Sequence, residues 1–145
     1  MTMKLMFAAF AVSAGIAAAF QSAANAGLSK NIGLGAALVV NTTIVLAGTL
    51  ILFFARDPHT RFFPPGTPWT LYIGGVCGFI IIAAMAFTLP RIGAAMAIAL
   101  MVLGQGVAAL AIDHFGLMGI PREPVTVTRV AGLALMCGGM TLLRW

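Results

Sequence analysis

The sequence predicts an all-α membrane protein: a five-transmembrane-helix bundle forming a single transmembrane domain over residues 1–145. Three observations carry this. The chain is 61% hydrophobic and only 8% charged, whereas a soluble domain carries roughly a quarter charged residues to face water. Residues 5–26, 33–55, 70–89, 92–112 and 125–143 are long apolar runs, and about 20 such residues cross the hydrocarbon core. Finally, Lys4, Lys30, Arg56, Arg61, Arg91, Arg122, Arg129 and Arg144 sit singly at the ends of those runs. There they act as headgroup anchors whose stems snorkel to the interface.

The same placement excludes nucleic acid as a partner. The net charge is +5, but no basic face or aromatic stacking platform accompanies it. The lipid bilayer is the expected surrounding. Cys77 and Cys137 each lie inside an apolar run without a CxxC partner or a nearby His. They are read as small apolar packing residues, so no metal and no cofactor is expected.

The first run, 5–26, resembles a secretory signal, with Lys4 before it and Ala24-Asn25-Ala26 at its end. Its apolar stretch is long enough to span, and it carries Gln21 and Asn25. A retained first helix is the favoured reading. Ala11, Gly15, Ala18, Ser22 and Ala26 recur along it at helical spacing. In lipid, small residues let helices approach closely where the hydrophobic effect does not press them together. A short loop, Gly27 to Ile32, holds Lys30.

The second helix, 33–55, includes Asn41-Thr42-Thr43. This matches a glycosylation acceptor pattern, but its depth in the membrane rules that use out. The following stretch is the most polar: Arg56-Asp57-Pro58-His59-Thr60-Arg61, running through Pro64, Pro65, Gly66 and Pro68. Its prolines forbid a continuous helix. Trp69 and Tyr72 suit an interfacial aromatic belt.

The third helix, 70–89, opens with Gly74 and Gly78 in GxxxG spacing. A tight connection, Leu89 to Gly93, leads to the fourth helix, 92–112, where Ala94, Ala97, Met101, Gly104, Ala108 and Ala111 form a packing seam. A loop from His114 to about Pro124 precedes the fifth helix, 125–143, which ends at Arg144-Trp145. Arg129 shortens the apolar part of this helix to 130–143, so it is the least secure of the five.

Five spans put the termini on opposite sides. The N-terminal side holds Lys4, Arg56, Arg61, Arg122 and Arg129; the other holds Lys30, Arg91 and Arg144. That weak bias favours an N-in orientation and allows insertion both ways.

Polar groups within the spans are costly in hydrocarbon and face a bundle interior, a cavity or a partner. Gln21 and Asn25 share one face of the first helix; Asn41 lies on the second and Gln105 on the fourth. Two readings stand side by side. These amides line a substrate path, or they bond one another across helices. Asp113 and His114 end the fourth helix, and Arg129 enters the fifth from the same side. They form either a gate or proton site, or a structural Asp113–Arg129 pair with His114 anchoring the helix end. The second reading is favoured. No acid lies mid-helix, which disfavours a cation bound at a central carboxylate.

The order of several elements is familiar. Gln21-xxx-Asn25-xx-Leu28, Ala36-Ala37-Leu38, Trp69 before Gly74-Gly75-xx-Gly78, and Pro90-xx-Gly93-Ala94-Ala95 occur in turn. The densest part is Gly104-Gln105, then Ile112-Asp113-His114-Phe115-Gly116-Leu117 and Gly119-x-Pro121, completed by Arg129-xx-Gly132 and Gly138. Over nearly its whole length the chain resembles the YdcZ-like family of short inner-membrane exporters, in the drug/metabolite transporter (DMT) superfamily. The resemblance implies a bacterial inner-membrane, multi-pass transporter of small molecules. It implies a unit that is half of a DMT-type ten-helix transporter. Such a half pairs as a homodimer, antiparallel in one form, or with a homologous protein. Short multidrug exporters of the superfamily use a glutamate in the first helix; this first helix has none, so their proton-for-cation mechanism does not carry over.

Two other function classes compete with a secondary transporter. One is a non-transporting membrane assembly or stabilising partner. The other is a membrane-embedded enzyme, for which Asp113, His114 and Glu123 are the only nearby groups. They lack a recognisable catalytic spacing, and this class ranks last.

Overall fold

A computed structural model describes residues 2–143, all helix and connecting turns, with no strand among them. Arg144 and Trp145, expected at the end of the fifth helix, lie outside the described residues. After Pro90 the chain divides into two compact units.

The first unit holds α1 (Thr2–Ile32), α2 (Leu34–Arg56), a 3-10 turn (Trp69–Ile73) and most of α3 (Gly74–Ile92). The expected loop at 27–32 is instead the last turns of α1. Its polar side chains find partners on their own helix: Ser29 Oγ donates to the Ala26 carbonyl at 2.8 Å and Asn31 Nδ2 to that of Gly27 at 3.3 Å. Nothing therefore forces a break before Gly33. At Gly33 the backbone turns to φ +85°, ψ 154°, a region essentially reserved for glycine. The Gly33 carbonyl then accepts from Ala37 N–H at 3.1 Å and opens α2.

α1 and α2 fold back beside each other. Ser22, Ala26 and Ala37 are buried along this unit, Ala37 completely. These side chains are small enough for close backbone approach, which drives helix pairing in lipid. The stripe of small residues read from the sequence is thus only half used. Its C-terminal part, Ser22 and Ala26, is buried, while Ala11 and Gly15 are exposed. At 31 residues α1 rises about 46 Å, more than the roughly 30 Å hydrocarbon core. It must tilt or extend past the core.

The proline-rich loop folds onto the helix ends that flank it. Phe62 stacks on Phe53 with ring centroids 4.9 Å apart, Phe63 lies 5.1 Å from Tyr72, and Tyr72 Oη donates to the Phe62 carbonyl at 3.1 Å. Trp69 stays exposed, as an interfacial residue would. α3 runs past the expected end at 89 and through Pro90 to Ile92. A proline this near the C-terminus forfeits only a bond of the final turn, and Met85, Ala86 and Leu89 are buried just before it.

The second unit holds α4 (Ala94–Phe115), a short 3-10 turn (Leu117–Gly119) and α5 (Val127–Leu142). Gly93, at φ +81° and ψ 157°, opens α4 as Gly33 opens α2, with Ala97 N–H donating to its carbonyl at 3.1 Å. α4 continues to Phe115, one turn beyond the expected end at 112. α5 begins two residues later than expected. Thr126 sits in extended backbone, and its hydroxyl accepts from Arg129 N–H, capping the helix there. α4 packs against α5 closely at Gly106, where an added Cβ would meet Leu133 Cδ1 at 2.9 Å. Toward the other end the two helices leave an open groove of about 280 Å³ lined by Ala99, Val102, Met136, Gly139, Met140 and Leu143.

Among the described residues four helices are long and apolar enough to cross a membrane; Val127–Leu142 is apolar but shorter. Large apolar side chains such as Phe10, Phe20, Ile44, Phe54 and Leu135 are exposed on them. Apolar surface of this extent is incompatible with water and suits lipid or another protein.

Candidate functional site

Two polar clusters stand out, one in each unit. The first lies within the α1–α2 hairpin. Gln21 Nε2 donates to Asn41 Oδ1 at 3.4 Å, tying the two helices together twenty residues apart in sequence. One turn from Gln21, Asn25 is 6% exposed. The sequence placed Gln21 and Asn25 on one face of the first helix and Asn41 on the second, and the hairpin turn at Gly33 brings Gln21 and Asn41 into contact. Gln105 lies on an exposed position of α4, in the other unit.

The remaining polar groups of the hairpin are satisfied locally. Thr42 Oγ1 donates to the Leu38 carbonyl at 2.8 Å, Thr43 Oγ1 to Val39 at 2.8 Å, and Thr49 Oγ1 to Leu46 at 2.9 Å. Helical hydroxyls commonly bond back to the preceding turn in this way. Asn41 differs. Its Nδ2 is sealed from solvent and has no hydrogen-bond partner. An unpaired buried donor costs about 1–3 kcal/mol, and more is at stake where no water can substitute. The Asn41 oxygen thus bonds across helices, while the Asn41 nitrogen has no partner.

The second cluster closes the C-terminal end of α4. Arg129 Nη1 lies 3.2 Å from Asp113 Oδ2, both side chains about one-third exposed. Arg129 Nη2 also pairs with Glu123. The backbone completes the closure. Glu123 N–H donates to the Asp113 carbonyl at 2.8 Å, Arg122 Nε to the His114 carbonyl at 2.9 Å, and Val125 N–H to His114 Nδ1 at 3.3 Å. The first two bonds occupy carbonyls that a helix end otherwise leaves without partners, and the third fixes the His114 ring. Gly116, at φ +63°, is the left-handed cap that turns the chain back, its N–H on the Ile112 carbonyl. An added Cβ there would lie 3.3 Å from Arg122 Cβ. The Ile112-to-Gly116 stretch is therefore a helix end with its own clamp. Sequence reasoning missed Arg122 and Glu123 as clamp residues. The signal was available: Asp113 and Glu123 are two of only three acids in the chain, and both precede Arg129 closely.

Among the described residues no group of three His, Cys, Asp or Glu side chains is placed to hold a metal ion. Cys77 and Cys137 are free and exposed.

A family model described as "Putative inner membrane exporter, YdcZ" matches residues 6–142. The chain belongs to the YdcZ family. No curated protein and no solved structure matches it. As a YdcZ-family member the protein is an inner-membrane transporter of the exporter class, and its apolar helices are those of a chain embedded in that membrane. Both clusters fall inside the matched span.

Proposed function

We propose that the protein is a secondary transporter that exports small molecules, with its site near the bilayer midplane; the candidate path residues are Gln21, Asn25 and Asn41 in the first unit and Gln105 in the second. The observation that carries this reading is the sealed, unpartnered Asn41 Nδ2 in a chain of an exporter family. A buried polar group without a partner inside a transmembrane helix is expensive, and intramembrane polar groups mark substrate pathways. A purely structural amide would be expected to bond at both ends.

On this reading residues 1–145 act as one transmembrane domain with α5 as the fifth span. Its 16 residues rise about 24 Å, and local bilayer thinning meets the shortfall at fractions of a kcal/mol per Å. A five-span chain corresponds to half of a ten-helix transporter, so two copies, antiparallel or otherwise, or a homologous neighbour, complete the path. The unused small-residue face at Ala11 and Gly15 supports a second copy. Inverted repeats around a midplane site are a common transporter design. In the second unit the Asp113–Arg129 pair and His114 are the candidates for a gate or a structural ion pair.

The test is substrate flux in proteoliposomes. Gln21→Ala and Gln105→Leu are expected to lower flux while leaving the fold intact. Unchanged flux in correctly folded variants would remove these residues from the path.

A further inference from the structure

The amide pair is asymmetric, and the asymmetry bears on the cargo. Asn41 Oδ1 is already occupied by Gln21 Nε2. The group left over is a donor, Asn41 Nδ2, sealed and unpartnered. The Thr42 and Thr43 hydroxyls of α2 donate to the Leu38 and Val39 carbonyls, and neither accepts from Asn41 Nδ2. A donor aimed nowhere needs an oxygen.

Charge points the same way. From Thr2 to Arg56 the α1–α2 hairpin contains no Asp or Glu, and its charges are Lys4, Lys30 and Arg56. An organic cation entering here would meet no carboxylate to neutralise it in low dielectric, and three cations at the hairpin's ends would oppose it. A carbonyl, carboxylate, sulfonate or phosphate oxygen would meet a free N–H and a favourable field.

We infer that the cargo is a neutral or anionic molecule bearing an acceptor oxygen, and that this oxygen takes the hydrogen bond offered by Asn41 Nδ2; the inference rests on the transporter reading above. Asn41 Nδ2 is shielded from solvent in this hairpin. Cargo reaches Asn41 when α1 and α2 part at that level, and its oxygen accepts the hydrogen bond of Nδ2. Asn25, one turn from Gln21 and nearly buried, lies near enough along α1 to contribute a second amide.

The experiment uses the full chain in detergent and in proteoliposomes. A panel of monocarboxylates, sulfonates, phosphate monoesters and carboxamides is compared with quaternary ammonium and phosphonium ions. Melting temperature and counterflow uptake are read for the wild type, Asn41→Leu, Asn41→Asp and Gln21→Leu. Acceptor-bearing compounds are expected to raise the wild-type melting temperature and the cations to leave it unmoved. Asn41→Leu removes the orphan donor and also the acceptor of Gln21 Nε2, two opposing effects on the ligand-free melting temperature, and should weaken the ligand effect about tenfold or more. Asn41→Asp replaces donors by acceptors in the same shape and should shift the preference toward the ammonium ions. If cations stabilise the wild type and lose their effect in Asn41→Leu, the acceptor class is overturned while the amide path stands. If acceptor compounds act equally on the wild type, Asn41→Leu and Gln21→Leu, the path itself is overturned. A wild type that responds to no acceptor compound in either assay overturns the inference as well.

Discussion

Arg129 holds two carboxylates at once: its Nη1 lies 3.2 Å from Asp113 Oδ2, and its Nη2 pairs with Glu123. The side chains of Asp113 and Arg129 are about one-third exposed and that of Glu123 is mostly exposed, so solvent screens much of the Coulomb gain. A coupling energy below about 1 kcal/mol is expected for Asp113–Arg129 in a double-mutant cycle with Asp113→Asn and Arg129→Gln. Arg129→Gln alone should cost more than Asp113→Asn alone, because it leaves two carboxylates facing each other without a cation. Melting in detergent with each single variant and the double checks the order. Equal losses would show that the pair, and not the triad, is the operative unit.

Gly116 should tolerate substitution worse than Gly119, although both have positive φ, +63° and +79°. Gly119→Ala meets open space and carries only the conformational cost of about 1–2 kcal/mol. Gly116→Ala carries the same cost and also pushes on Arg122 Cβ at 3.3 Å. That contact displaces the arginine whose Nε bonds the His114 carbonyl. The measurement is the difference in melting temperature between the two variants. A larger drop for Gly119→Ala would mean that the clamp does not depend on the turn at Gly116.

The helices were legible because apolar length is written directly in the sequence, and so were the polar positions, because amides are rare in such runs. Boundaries were less legible. Ser29 and Asn31 look like loop residues, yet each bonds back onto α1, and only Gly33 carries a backbone angle that ends the helix. Pro90 looks like a terminator and instead lies within the last turn of α3. The Asp113–Arg129 pairing followed from charge and proximity to the same loop. The asymmetry at Asn41 did not, since it depends on which end of an amide Gln21 occupies, and no residue pattern encodes that.

Gly33 and Gly93 are equivalent hinges and should respond alike. Each joins two apolar helices through a single residue, at φ/ψ of +85°/154° and +81°/157°. Each carbonyl accepts from an alanine four residues on, and both alanines, Ala37 and Ala97, are at least 98% buried. Replacing either glycine by alanine is expected to cost about 1–3 kcal/mol through backbone strain alone, because nothing lies within 4 Å of the new Cβ. Gly35→Ala, in open space on α2, should be neutral or stabilising by up to about 1 kcal/mol. Thermal melting of the three variants decides it. A neutral Gly33→Ala would mean that the α1–α2 turn relaxes to another geometry.

The dimer proposed here predicts a separation between folding and association. Gly15 and Gly74 have no heavy atom within 4 Å of an added Cβ, so within one chain Gly15→Leu and Gly74→Leu have room. If a second copy packs on these small-residue faces, the same substitutions block close backbone approach and weaken association. Ala26→Leu should behave in the opposite way, since Ala26 is 5% exposed. Overpacking there typically costs about 1–3 kcal/mol and should lower the melting temperature of the monomer itself. Monomer–dimer equilibria in detergent, followed by crosslinking yield against protein-to-detergent ratio, separate the two effects. Association unchanged in both glycine variants would move the second copy to another face. Of the remaining faces, the open side of α4 and α5 around Met136 and Gly139 is the next to substitute.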